Sequence, residues 1–220
     1  MLTVYYIGDS TVARNNIHSY PQTGMSQGLA LYAKESVRIE SHAKNGRSTK
    51  SFLDEGRFTP VAAAMQQGDI LLIQFGHNDE KADPARHTDP YGDFQENLGV
   101  FIAAARQKGA YPVLITPIAR RLFDETGNFC PGSHGEYPRA MEQLAQREQV
   151  PLIDLTAATE EYLARLGDEP SKPLFMWPKD NTHLKPEGAV KMAGLLAQGL
   201  MDLGGVYAAI LAGPEEGAGN

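Results

Sequence analysis

The stretch Asp69 to Phe75, Asp-Ile-Leu-Leu-Ile-Gln-Phe, constrains the fold more than any other. Ile70, Leu71, Leu72 and Ile73 are apolar at consecutive positions, so both faces of an extended segment need cover. Such a strand belongs in the middle of a parallel sheet. It ends in a polar turn, Gly76-His77-Asn78-Asp79. Similar short apolar runs at Leu2–Ile7, Val37–Ser41, Pro112–Thr116 and Leu152–Leu155 alternate with helical patterns. Those patterns cover Met25–Lys34, short pieces of Lys50–Gln67, the segment from Asp93 to Gly109, Glu136–Gln149, Thr156–Leu166 and Pro186–Gly204. Asp93 and Glu96 resemble a capping box. The alternation predicts an α/β fold in three layers, with a central five-stranded parallel sheet of flavodoxin-like type. Residues 1–205 read as one domain, Gly167–Lys185 as irregular, and the Gly-, Pro- and Glu-containing tail 206–220 as partly disordered.

Composition narrows the function. The net charge of −7, with no basic stripe, argues against a nucleic-acid partner. No apolar run reaches membrane-spanning length, so no membrane role is expected. Met1 leads straight into strand residues without a charged leader, which gives the expectation of a cytoplasmic protein. Cys130 is the single cysteine and lies in a loop, where it is a structural or incidental thiol. His87 with Asp83 or Asp89 fits no strong metal signature, and Gly8-Asp9-Ser10-Thr11-Val12 is too poor in glycine to cradle a phosphate. Neither metal nor cofactor is expected.

Four loops concentrate polar residues: those at Ser10, Gly46, Asn78 and the segment Asp180-Asn181-Thr182-His183. Acyl transfer needs a nucleophile, a base, a group to orient the base, and donors for an oxyanion. Ser10 suits the first role, His183 the second, and Asp180 the third from three residues upstream. The backbone N–H groups of Ser10 and Gly46 and the side-chain amide of Asn78 suit the fourth. Asp9 reads as a partner for amides in its own turn, Thr11 as a helix cap, and Asp79 as a loop-stabilising group. His18, His42, His87 and His134 show no partner pattern and read as surface or core histidines.

With these residues in place, the chain resembles the SGNH (GDSL-type) hydrolases. Gly8-Asp9-Ser10, Gly46, Gly76-His77-Asn78-Asp79 and Asp180-Asn181-Thr182-His183 match that family's four blocks in order. The finer resemblance is to the rhamnogalacturonan acetylesterases, carbohydrate esterase family 12. It rests on Gly-Asp-Ser-Thr, Gly46-Arg47-Ser48, Gly-His-Asn-Asp and the loop Thr116–Asp124. It implies the SGNH hydrolase fold and a serine esterase that removes O-acetyl groups from pectic oligosaccharides, with an acetylated oligosaccharide as the substrate partner. Arg47, His77, Arg120, Arg121 and Trp177 are candidate substrate contacts. Of these, Arg47, Arg120 and Arg121, with Lys179, are candidates to meet uronate carboxylates. Trp177 either stacks on a sugar or anchors its loop. The alternatives are another esterase of this superfamily (an acetyl xylan esterase, lysophospholipase or thioesterase) and a non-catalytic carbohydrate-binding protein. A lipid-acting enzyme would favour an apolar groove, whereas the loops here are polar.

Overall fold

The computed structural model describes residues 1–212. Its strands are β1 (Leu2–Gly8), β2 (Val37–Ser41), β3 (Ile70–Gln74), β4 (Tyr111–Ile115) and β5 (Leu152–Ile153). All pair in parallel, in the order β2-β1-β3-β4-β5. The helices are α1 (Met25–Leu29), α2 (Thr49–Asp54), α3 (Phe58–Ala64), α4 (Asp93–Gln107), α5 (Tyr137–Glu148), α6 (Leu155–Leu166), α7 (Asp168–Ser171), α8 (Pro186–Leu203) and α9 (Gly205–Ala208). Among the described residues, no helix is long and apolar enough to cross a membrane.

Side-chain alternation divides the core. Val4, Tyr6, Ile70 and Leu72 face α1, α6 and α8, while Tyr5, Ile7, Leu71 and Ile73 face α2 to α5. Every residue of β3 is buried, as its unbroken apolar run requires. The chain order reverses between β1 and β3. Loops diverge there at the strands' carboxyl ends and leave a crevice. Ser10 follows β1 and Asn78 follows β3, so both lie at this point.

The structure departs from the sequence reading in four places. Helix α1 stops at Leu29 instead of reaching Lys34. The residues after it serve the C-terminal segment: Lys34 N–H donates to the Ile210 carbonyl at 2.9 Å, and Ala212 N–H to the Tyr32 carbonyl at 2.9 Å. By the same contacts, residues 206–212 are not a loose tail. Part of α9 lies there, and Ile210 and Leu211 are buried. The remainder of the predicted tail lies outside the described residues. The cap of α4 is Gly92, not Asp93. Asp89 Oδ1 takes the Tyr91 and Gly92 amides at 3.0 and 2.7 Å, so the turn forms one step upstream. Asp93 and Glu96 then sit in the first helical turn, where negative charge suits the helix dipole. The irregular stretch after Gly167 contains α7, braced by Arg121.

Candidate active site

Each site residue is held by a turn written in its own neighbourhood. Asp9 is fully buried, and its Oδ1 accepts from the Thr11 amide at 2.9 Å and the Thr11 hydroxyl at 2.8 Å. Its carbonyl accepts from the Val12 and Ala13 amides at 3.2 and 3.0 Å. This double clasp fixes Ser10 just past β1. The Thr11 hydroxyl is thereby used inside the turn and not as a helix cap, while its carbonyl accepts the Met25 amide at the start of α1 at 2.8 Å. Gly46 has φ +78°, a conformation that glycine adopts without penalty. The Asn78 amide donates to the Arg47 carbonyl at 3.1 Å. An amide nitrogen carries two N–H groups, and Asn78 borders the cleft, so one donor is left over for a ligand there.

The loop before α8 closes the site. Asp180 Oδ1 accepts the backbone amides of Thr182 at 2.9 Å and His183 at 2.7 Å. Its Oδ2 faces His183 Nδ1 at 3.1 Å. His183 Nε2 lies 2.9 Å from Ser10 Oγ. Partial burial works against the Asp180 carboxylate. The two amides and the imidazole outweigh it and hold the pKa below the ordinary carboxyl value. A carboxylate only accepts, so Nδ1 carries the ring proton and Nε2 is left to accept from the Ser10 hydroxyl. A serine, a proton acceptor and an ionised orienting group are thus in line. A cleft of about 410 Å³ opens over them, walled also by Gly46 and Asn78. No acceptor among the described residues takes the backbone N–H of Ser10 or Gly46. The arrangement can move a proton off Ser10 and receive negative charge beside it.

The other candidate residues separate. Arg120 and His77 border the cleft. His77 is 3% exposed, packed edge-on to His134 at 4.4 Å, with Nδ1 3.3 Å from Asp9 Oδ2. Burial pushes its pKa down to about 4 against the pull of Asp9, so the ring is neutral at pH 7. Arg47 turns its guanidinium to Glu55 and to the Asn45 carbonyl, both at 3.0 Å. It serves the cleft through its own carbonyl. Arg121 is not on the cleft wall. Its side chain is buried and donates to Ser171 Oγ at 2.9 Å, to the Asp168 carbonyl at 2.8 Å and to the Asp168 carboxylate. Trp177 also stands off the cleft, with its ring 4.7 Å from the Arg121 guanidinium and 5.6 Å from Lys172. Of its two readings, the loop anchor is the one its contacts favour. Lys179 is exposed and is not part of the cleft wall.

Three residues escaped sequence reasoning. Lys81 and Arg86 line the cleft. They lie close to Asn78 in the chain, a proximity that could have marked them. His134, read as unpartnered, is buried with Nδ1 2.9 Å from Glu80 and Nε2 2.8 Å from the Ile118 carbonyl. Nothing local to His134 announces partners that far away. Among the described residues, no histidine, cysteine and carboxylate cluster could hold a metal ion. Cys130 is a free, exposed thiol.

Asp79 is fully buried, and its Oδ1 takes the Thr49 amide at 2.9 Å, the Thr49 hydroxyl at 2.6 Å and the Thr88 hydroxyl at 3.2 Å. Burial outweighs these donors and pushes its pKa up to about 7. The folded value lies above the unfolded one. The group's contribution to stability is therefore complete at acid pH and is lost as pH rises through about 7. Asp79→Asn keeps the Oδ1 acceptor and removes the titration. In thermal unfolding, the variant should gain on wild type by roughly 1 kcal/mol per pH unit between about pH 5 and 7. Parallel curves would mean that Asp79 titrates as an ordinary carboxyl.

Residues 6–190 match the GDSL-like Lipase/Acylhydrolase family. The chain is 43% identical over 215 residues to the rhamnogalacturonan acetylesterase RhgT of Bacillus subtilis (strain 168), covering 92% of this chain and 91% of the relative. It is 38% identical over 205 residues to the probable rhamnogalacturonan acetylesterase YesY of the same organism, covering 91% and 93%. Among solved structures it superimposes on protein YxiM of Bacillus subtilis with a TM-score of 0.82 and 27% identity. That match covers 92% of this chain and 56% of YxiM, so the chain spans little more than half of that structure. The parallel sheet, the serine turn at its switch point and these likenesses agree: the chain is an ester hydrolase belonging to the GDSL-like Lipase/Acylhydrolase family.

Proposed function

We propose that the protein removes O-acetyl groups from pectic, rhamnogalacturonan-type oligosaccharides through an acetyl-Ser10 intermediate. The observation that carries this reading is the 2.9 Å contact from Ser10 Oγ to His183 Nε2, backed by Asp180 on the far nitrogen. Ser10 Oγ bonds to the acetyl carbonyl carbon as its proton passes to His183 Nε2. The carbonyl oxygen takes up negative charge, met by the Ser10 and Gly46 N–H groups and the Asn78 amide. On collapse, the bond from carbon to the sugar oxygen breaks, and Nε2 returns its proton to that oxygen. Water then gives a proton to His183 and attacks the acetyl carbon. Ser10 leaves with that proton, and acetic acid departs and gives up its proton to solvent.

Two observations favour an acidic sugar. The relatives of similar length bear rhamnogalacturonan acetylesterase names. In a chain of net charge −7, Lys81 lines the cleft beside Arg86 and Arg120, which are paired with Asp83 and Glu80, while Asp180 is the one carboxylate of the wall among the described residues. Such local compensation suits a uronate-bearing substrate. Acetate release should be compared on acetylated rhamnogalacturonan oligosaccharides, acetylated xylo-oligosaccharides and a long-chain acyl ester, with Ser10→Ala as the blank. Preference for the pectic substrate is expected. Preference for either comparator would keep the Ser10 chemistry and remove the pectic assignment.

A further inference from the structure

Arg120 stands on the cleft wall, yet its guanidinium is already engaged. One terminal nitrogen donates to Thr182 Oγ1 at 2.7 Å. The other donates to the Glu80 carboxylate and lies 3.5 Å from the His77 carbonyl. Glu80 is held in turn by His134. The Ile118 carbonyl can only accept, so His134 Nε2 carries a proton and Nδ1 shares one with Glu80. These groups are shielded from water: side-chain exposure is 0% for His134, 18% for Glu80 and 15% for Arg120.

The chain His134–Glu80–Arg120–Thr182 therefore crosses from one half of the site to the other. At one end, Glu80 shares a turn with Asn78, closed by Glu80 N–H to the Gly76 carbonyl and Lys81 N–H to the Asn78 carbonyl, both at 3.2 Å. At the other end, Thr182 lies between Asp180 and His183 and donates its amide to Asp180 at 2.9 Å. A longer route also ties the two loops, from Glu80 through His134 to the Ile118 carbonyl and from the Arg121 N–H to the Asn181 carbonyl at 2.8 Å, and this strut is the direct side-chain route between them. The planar fork of arginine reaches two partners at once, which a lysine cannot reproduce.

We propose that Arg120 is a positioning residue: through Thr182 it sets the Asp180–His183 loop against the Asn78 loop. The inference rests on the reading of Ser10 and His183 as the reacting pair. It differs from the sequence expectation for Arg120, because a guanidinium bound to Glu80 and Thr182 offers little to a substrate carboxylate. Lys81 is better placed for that role, since Arg86 is itself paired with Asp83 at 2.9 Å.

The test is steady-state hydrolysis of 4-nitrophenyl acetate, a substrate without a sugar. Wild type would be compared with Thr182→Val, Thr182→Ser, Arg120→Met, the Arg120→Met/Thr182→Val double variant and Ser10→Ala. Thr182→Val removes the acceptor oxygen, and with it the hydroxyl's bond to Asn181 Oδ1 at 3.2 Å, at nearly constant shape and leaves Glu80 paired with Arg120 and His134, so it remains informative if Arg120→Met fails to fold. Thr182→Val and Arg120→Met should each lower kcat about tenfold with KM unchanged, because small misplacements of a base are costly. Thr182→Ser should restore the rate. The double variant should be no slower than the worse single one, since both cut the same strut. Wild-type kcat in Thr182→Val would overturn the proposal. So would losses that multiply to about a hundredfold in the double variant, because they would place Arg120's effect elsewhere. Hydrolysis surviving in Ser10→Ala would instead remove the underlying reading of the site, whatever the other variants do.

Discussion

Asp180→Asn is expected to lower kcat by about four orders of magnitude while the protein stays folded. The substitution is nearly isosteric, and its effects on the two carboxylate oxygens can be followed separately. The amide oxygen can still accept the Thr182 and His183 amides that Asp180 Oδ1 accepts at 2.9 and 2.7 Å. The loop therefore keeps its shape. The amide nitrogen then faces His183 Nδ1, where Oδ2 now lies at 3.1 Å. An NH2 group donates, so Nδ1 must accept, and the ring proton moves to Nε2. That proton would point at Ser10 Oγ, which lies 2.9 Å away. The ring could no longer take the serine proton, and an imidazolium formed later would lack a counter-charge. The loss should appear in kcat on any ester, sugar or not, with a small change in the unfolding midpoint. A rate within about tenfold of wild type would show that Asp180 does not set the tautomer.

What was legible in the sequence is what short local geometry determines. The Asp9 clasp, the positive-φ Gly46 and the Asp180–His183 turn each span only a few residues. The unbroken apolar run of β3 required a central strand, and the loop after it then had to emerge at the sheet's carboxyl edge. Side-chain direction in long loops was not legible. Arg120 and Arg121 are neighbours, yet one borders the cleft while the other is buried against Ser171 and Asp168. The sequence offers the same residue type twice, and only tertiary packing separates the two. The partners of His134 lie 16 and 54 residues away in the chain, so the Glu80–Arg120 strut had no local signature. The early end of α1 has the same origin: Tyr32 and Lys34 pair with Ala212 and Ile210, and no periodicity within α1 reports a partner that far along the chain.

Asn78→Ala is expected to lower kcat by about two to three orders of magnitude with little change in KM. The donor acts where charge develops, so its loss raises the barrier more than it weakens ground-state binding. A structural cost accompanies the chemical one. Asn78 also donates to the Arg47 carbonyl at 3.1 Å, and deleting the amide leaves that acceptor without this donor. The acceptor is only half-buried, so a cost of about 1 kcal/mol in stability follows, and activity must be measured well below the variant's unfolding midpoint. Asn78→Asp separates the two effects. It keeps the shape, offers no N–H to either partner, and places a carboxylate beside the developing oxyanion. If the side-chain amide is an oxyanion donor, Asn78→Asp should be slower than Asn78→Ala, although it fills the space better. Both variants lose the bond to the Arg47 carbonyl, so if Asn78 only shaped the loop the two rates would follow the two unfolding midpoints. A rate for Asn78→Asp below that of Asn78→Ala at equal or higher stability therefore marks charge stabilisation and not packing.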